Sequence, residues 1–258
     1  MQHPREAVPK AKASAQRALE LDDSIVEAHV VFGDMAVFVV DCPLAEAAYK
    51  RALALNPNSS LALESYPILY LTPWGRNDES IATIRRAIEI DPHSSLYRTD
   101  LIFALMHAQR NEEAIEEAKR ALKREPAPNV LWSLGVAYSG KGAHDEAIAA
   151  FQKNIELSGQ NFASLGGLGY AYAQAGKRDL EVLVTMKELA KKGTVDPAGF
   201  AWVYLGLDDN DAALEWVQRT YDERPNLALA FMKENSFYNR IRSDPRFIAL
   251  LKKVGFEK

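Results

Sequence analysis

Apolar residues recur along this chain at the three- and four-residue spacing of one helix face, in short segments separated by polar turns. The stretch LWSLGVAYSGKGAHDEAIAAFQKNIELSG shows the pattern most plainly. It predicts a helix over 129–139, a turn at Gly140 to Gly142, and a second helix over 144–157. Small residues, Gly135 and Ala147, stand where the two helices must approach, and Leu134, Tyr138 and Phe151 fill the space between them, so the unit is a helical hairpin. The unit recurs. Ala18, Ala52, Ala87, Ala121, Asn154, Glu188 and Thr220 take equivalent places, 34, 35, 34, 33, 34 and 32 residues apart. A chain breaker follows five residues after most of them, at Pro57, Pro92, Pro126, Gly159, Gly193 and Pro225. So regular a period predicts a stack of repeats. Its parts are a half repeat over 5–22, helix pairs over 24–57, 60–92, 94–126, 128–159, 161–193 and 195–225, and a C-terminal cap over 226–258.

Leu134, Gly135, Tyr138, Gly142, Ala147 and Phe151 in the fourth pair, with Phe32, Gly33, Ala45, Tyr49, Ala52 and Pro57 in the first, resemble the tetratricopeptide repeat pattern. Leu168, Gly169, Tyr172 and Gly176 carry half of it in the fifth, and Ala201, Tyr204 and Ala213 mark the sixth. The resemblance implies an all-α, right-handed superhelical solenoid of antiparallel helix pairs with a C-terminal capping helix. The closing segments AWVYLGLDDNDAALEWV and SDPRFIALLKKVGF further resemble the C-terminal repeat region of bacterial multidomain signalling and transcriptional regulators. That implies a C-terminal part of a longer protein, and it supplies no activity.

Four places depart from the pattern. Pro67 falls inside a first helix, which predicts a kink or distorted start, followed by an unusual turn at Thr72-Pro73-Trp74-Gly75. In the fifth repeat Glu181 and Thr185 hold slots that elsewhere carry a small and a bulky apolar residue, so the helix over Asp179 to Lys191 is expected to rotate or shift. Arg5 to Leu21 looks like a second helix without its first. In the helix Ile25 to Val40, the run Val37, Phe38, Val39 and Val40 is apolar on all sides, either buried under a preceding helix or exposed for self-association. At the far end, Ser243 or Asp244 caps a helix whose Phe247, Leu250, Leu251 and Val254 share one face.

Composition narrows the function classes. The 258 residues carry 31 basic and 35 acidic side chains, a net charge of −4, so no basic excess is present to neutralise a nucleic-acid backbone. The single cysteine, Cys42, excludes an intrachain disulfide, and its turn shows no adjacent base. The most apolar stretch, Val30 to Val40, is too short to span a bilayer. A soluble, cytoplasmic chain is the expectation. His3, His29, His93, His107 and His144 are scattered without metal-ligand spacing and read as solvated or structural. GVAYSGK over 135–141 matches the start of a phosphate-binding loop, but Gly142 stands where Ser or Thr must hold magnesium. No catalytic residue, metal site or cofactor is expected.

Function is then expected from surface shape. The family's groove-facing spacing, carried onto this chain, implies a partner-binding groove with Asp34, Phe38, Tyr66, Leu69 and Phe103 toward the N-terminal side. Met106, Trp132, Val136, Tyr170 and Trp202 follow. For Phe38 and Tyr66, packing between neighbouring helices is an equal reading. Val30, Ser65, Thr99, Trp132 and Gly166 stand where relatives that grip a C-terminal carboxylate carry Lys, Asn and Arg, so a protein or peptide ligand with an apolar segment is expected. The alternative is a homo-oligomerisation or small-ligand sensor domain that controls an attached effector.

Overall fold

The structure, a computed structural model, describes residues 4–177, 181–192, 196–223 and 227–254. All regular structure among the described residues is helical. The helices are α1 (Pro4–Leu21), α2 (Val26–Phe38), α3 (Cys42–Leu55), α4 (Ser60–Ser65), α5 (Asn77–Ile90), α6 (Ser95–His107) and α7 (Asn111–Leu122). They continue as α8 (Pro128–Lys141), α9 (His144–Ser158), α10 (Phe162–Gln174), α11 (Glu181–Ala190), α12 (Pro197–Gly206), α13 (Asn210–Glu223), α14 (Leu227–Glu234) and α15 (Pro245–Lys253). Sequential helices pair as the period predicts, and the chain divides into two compact units, Met1–Asp100 and Leu101–Lys258. The expected helix start at Asp179 and the breakers Gly193 and Pro225 lie outside the described residues.

In the first unit, α2 packs against α1, α3 and α4. Gly33 makes the α2–α3 approach possible, since a Cβ there would sit 3.0 Å from the buried Tyr49 ring. The Tyr49 hydroxyl donates to Asp34 Oδ1 at 2.7 Å. Pro67 produces a specific distortion: α4 stops at Ser65 and residues Tyr66–Leu71 form a π-helical turn. Proline has no N–H to offer and its ring collides with the carbonyl four residues back. In the widened turn Thr72 N donates to Pro67 O, five residues back, at 2.9 Å. Ser80 on α5 locks it, its hydroxyl donating to the Pro67 carbonyl at 3.2 Å.

In the second unit, α8, α10 and α12 pack side by side and α9, α11 and α13 flank them. Phe151 is fully buried with Gly135 and Gly167 at the same ring edge, where added Cβ atoms would lie 2.7 and 2.5 Å away. α10 and α12 meet at Gly166 and Gly199, where a Cβ on Gly166 would fall 2.6 Å from the Gly199 Cα. The fifth repeat does shift. Its inward positions are Val182 and Met186, one residue beyond Glu181 and Thr185, so α11 turns by about one residue's worth of helix to put apolar groups inside.

The period is also written in the backbone. Each helix pair turns through one left-handed residue: Val40 (φ 58), Gly75 (φ 74), Gln109 (φ 55), Gly142 (φ 79), Gly176 (φ 74) and Asp208 (φ 66). Val40 is the strained member, because its branched side chain is poorly suited to that region. It ends α2 at Phe38, short of the expected Val40. The fourth pair is slightly longer than expected, α8 running over Pro128–Lys141 and α9 over His144–Ser158.

Candidate partner-binding face

In the second unit the first helices of successive pairs each bring an aromatic residue to one face. Phe103 and His107 come from α6, Trp132 from α8, Tyr170 from α10 and Trp202 from α12. Trp132 is half-buried, its indole N–H reaching the Ala163 carbonyl at 3.4 Å, and its ring lies 5.8 Å from Trp202. This face is covered by the chain itself. Phe237, in a 3₁₀ turn over Ser236–Tyr238, sits 4.3 Å from the Tyr170 ring and 5.3 Å from Trp202. Phe231 on α14 lies 5.5 Å from Phe103 and 5.8 Å from His107. The rings are half-buried or buried, and Phe237 and Tyr238 are almost wholly so.

Polar groups at this contact are tied into the packing or left without a bond. His107 is fully buried and bonds the Phe103 carbonyl through Nδ1 at 2.9 Å. Burial pulls its pKa down to about 4, so the ring is neutral at pH 7. The Asn235 side chain caps the 3₁₀ turn, accepting from Phe237 N at 2.9 Å. Burial pushes the Tyr238 hydroxyl well up, against a smaller opposite effect of the Trp202 indole. Neither of those two groups closes a hydrogen bond of ordinary geometry, and Ser236 Oγ is likewise buried without a partner. A buried polar group left unmade costs about 1–3 kcal/mol, so this covering segment fills the face imperfectly.

Several expected groove residues are not on this face. Met106 and Val136 are buried in the core and are unavailable to a ligand. In the first unit Tyr66 is also buried, 5.1 Å from Tyr49 and stacked 5.8 Å from Tyr70, so it packs between helices. Leu69 is half-buried in the π-helical turn. Asp34 is half-buried with its pKa raised by burial, against the Tyr49 and Ser65 hydroxyls. Phe38 is exposed at 39%, beside Val39 at 52%, while Val37 points inward, and Leu21 at 73% ends α1. The helix α1 packs along α2.

Two features lay outside the sequence reading. Asp100 on α6 is buried with Oδ2 unpartnered, and burial, then the charge of Glu64, push its pKa up to about 7. The turned helix α11 leaves a cleft of about 500 Å³ over α9 and α10, lined by Ile155, Leu165, Leu168, Val182 and Thr185 and rimmed by Gln152, Glu156, Tyr172 and Glu181. The polar residues in the Glu181 and Thr185 slots signalled the shift that opens it. Phe231, Phe237 and Tyr238 gave no signal in the repeat period; only their density ahead of the last helix marked them. Among the described residues no group of three His, Cys, Asp or Glu is placed to hold a metal, and no helix is long and apolar enough to cross a membrane.

Comparison with known proteins locates the repeats. Tetratricopeptide repeat family models match residues 69–94 and 100–162. A small glutamine-rich tetratricopeptide repeat-containing protein 2 of Mycosarcoma maydis is 31% identical over 96 residues, 37% of this chain and 27% of that protein. The chain thus matches about a quarter of that relative's length. Among solved structures, a tetratricopeptide repeat protein of Parabacteroides merdae is 12% identical over 91% of this chain and 94% of its own, with a TM-score of 0.68. PilF of Pseudomonas aeruginosa is 20% identical over 86% of each chain, with a TM-score of 0.54. At such identities these two share the fold alone. The chain therefore carries tetratricopeptide repeats, matched directly over 69–94 and 100–162, within an all-α stack of helix pairs.

Proposed function

We propose that this chain is a non-catalytic protein-interaction module that binds a peptide or helix of another protein on the face of its first helices. One observation carries the reading. The aromatic face of α6, α8, α10 and α12 accommodates a short apolar peptide segment, with Phe237 against Tyr170 and Trp202. Aromatic rings on rigid helices are efficient anchors for such ligands, because they supply large contact area at small entropic cost. A finer context, the C-terminal part of a bacterial cytoplasmic signalling or regulatory protein, rests on the resemblance of the closing segments to such regulators. The test is a selection of peptides from a displayed library on the immobilised full chain, counter-selected against Trp132→Ala/Tyr170→Ala. Enriched peptides should carry aromatic and apolar residues at helical spacing and bind the double variant at least about tenfold more weakly, the loss of one ring anchor. Peptides that bind a folded double variant equally well would remove this face from the proposal.

A second reading is favoured by Phe38 and Val39, apolar and exposed at the end of α2. An exposed apolar patch marks an interface, and self-association through this flank would join two copies. Light scattering at two concentrations decides it, because a chain that is strictly monomeric at both excludes the reading.

A further inference from the structure

We infer that the segment over residues 227–238 is an in-chain occupant of the aromatic face, and that an outside ligand of the same chemistry binds by displacing it. The inference rests on the proposed function for the use of this face. Phe103 on α6 meets Phe231, Tyr170 on α10 and Trp202 on α12 meet Phe237, and Trp132 on α8 packs behind Trp202. The stack ends on α15. α15, capped by Asp244 with its side chain accepting from Arg246 N at 2.8 Å, packs on α13 and buries Phe247, Leu250 and Leu251. The segment leans on this cap as well, α14 packing on α13 and α15 and Tyr238 stacking 6.0 Å from Phe247, while Phe231 and Phe237 are the rings it turns to the face.

What holds it is replaceable. Its polar clips are an exposed amide pair, Gln109 with Asn239, at 3.4 Å in each direction, and an exposed ion pair of Arg240 with Asp208. Exposed pairs of this kind contribute little. Inside the contact, Ser236 Oγ is buried and bonded to nothing. The attachment therefore comes from the rings, and any segment that presents two aromatic residues as Phe231 and Phe237 are presented, one on a short helix and one on the turn that follows it, offers the same contacts. The ligand class is an amphipathic, aromatic-bearing peptide of near-neutral charge. The segment's charged residues, Lys233 and Glu234, are one of each sign.

The probe is a fluorescein-labelled synthetic peptide with the chain's own sequence LALAFMKENSFYNR, residues 227–240, titrated by anisotropy into three full-length proteins. They are the unaltered chain, Phe231→Ala/Phe237→Ala, and that variant with Tyr170→Ala added. Emptying the face removes the competitor, so the double variant should bind the peptide at least about tenfold tighter than the unaltered chain, as expected when the competent state was a minor fraction. Adding Tyr170→Ala should return binding to the weak level. Equal affinity of the unaltered chain and a folded double variant overturns the inference. If the double variant loses its helical circular dichroism, Phe231→Ala alone takes its place, with the same two outcomes. The chain's own peptide is independent of any natural partner. Success here with no enriched library peptide would leave in-chain occupancy standing and remove the interaction-module reading, and the converse result would do the opposite.

Discussion

Replacing Gly167 by Ala tests the close packing of a helix backbone on a buried ring. An added Cβ would lie 2.5 Å from Phe151 Cε1 and 2.6 Å from Cζ. Carbon atoms prefer about 3.5–4.0 Å, so the overlap is about 1 Å on a ring edge. Phe151 has little room to retreat. It is fully buried, and the same edge already meets Gly135, where an added Cβ would come within 2.7 Å. Overpacking of this kind costs about 1–3 kcal/mol. Ala recovers about 0.8–1.0 kcal/mol of helix propensity over Gly, which reduces the cost without reversing it. The net expectation is a loss of about 1–2 kcal/mol, or a fall in Tm of a few degrees for a chain near this size. Urea titration followed by circular dichroism, with the tryptophan fluorescence of the second unit as a second probe, measures it. In the Gly167→Ala background, Phe151→Leu removes the ring edge and should cost less than it does alone, a coupling of about 0.5–3 kcal/mol. A Gly167→Ala protein as stable as the parent, or a cycle that is simply additive, would refute the wedge.

Four further outcomes follow from the same geometry. Val40→Asn places a residue that tolerates φ > 0 at the strained turn and should raise stability by about 0.5–1 kcal/mol in urea titration, since the left-handed form costs a branched residue about 1–2 kcal/mol. His107 has its pKa lowered from 6.5 to about 4 by burial, so stability is intact above pH 6.5 and is lost as pH falls toward 4. The loss approaches about 3 kcal/mol, and His107→Phe should flatten that part of the pH profile. Asp100 works in the opposite sense: its pKa is raised from 3.8 to about 7, so stability is lost as pH rises through that window, and Asp100→Asn should be more stable than the parent at pH 8 by an amount on the order of 2 kcal/mol. Thr185→Leu fills part of the cleft beside α11 and should add about 0.5–2 kcal/mol in thermal melting, with no gain if the cleft has a native occupant that Leu excludes.

Local packing was legible because each repeat meets chiefly its neighbours. Gly33 with Tyr49, and Gly135 with Phe151, are pairs separated by about one helix-turn-helix, and the small-and-aromatic pattern encodes them directly. Pro67 and the Glu181 and Thr185 slots were legible as faults, because each breaks a rule stated by the other repeats. What form the fault takes was not legible. A proline inside a helix is answered by a kink, a break or a widened turn, and the choice of a π-helical turn depends on Ser80, a helix away, donating to the Pro67 carbonyl. In the same way, the polar pair in the fifth repeat predicts rotation, but only Val182 and Met186 in place show that one residue of shift suffices.

The face itself was legible by half for a more general reason. A period of about 34 residues reports contacts between neighbours, whereas the cover on the aromatic face joins Gln109 to Asn239, 130 residues apart. Such a return contact leaves no periodic trace, because it happens once. The sequence therefore marks Trp132, Tyr170 and Trp202 as ring-bearing slots and is silent on whether they meet solvent or chain. It also misplaces Met106 and Val136, which lie about 60° and 40° around the helix axis from Phe103 and Trp132 and are buried in the core. The structure changes the binding question accordingly. Affinity for a ligand on this face is the difference between its contacts and those of Phe231 and Phe237 already made, so a substitution in residues 227–238 that leaves the rings of α8, α10 and α12 intact should strengthen binding, where the same substitution in an independent cap would leave it unchanged.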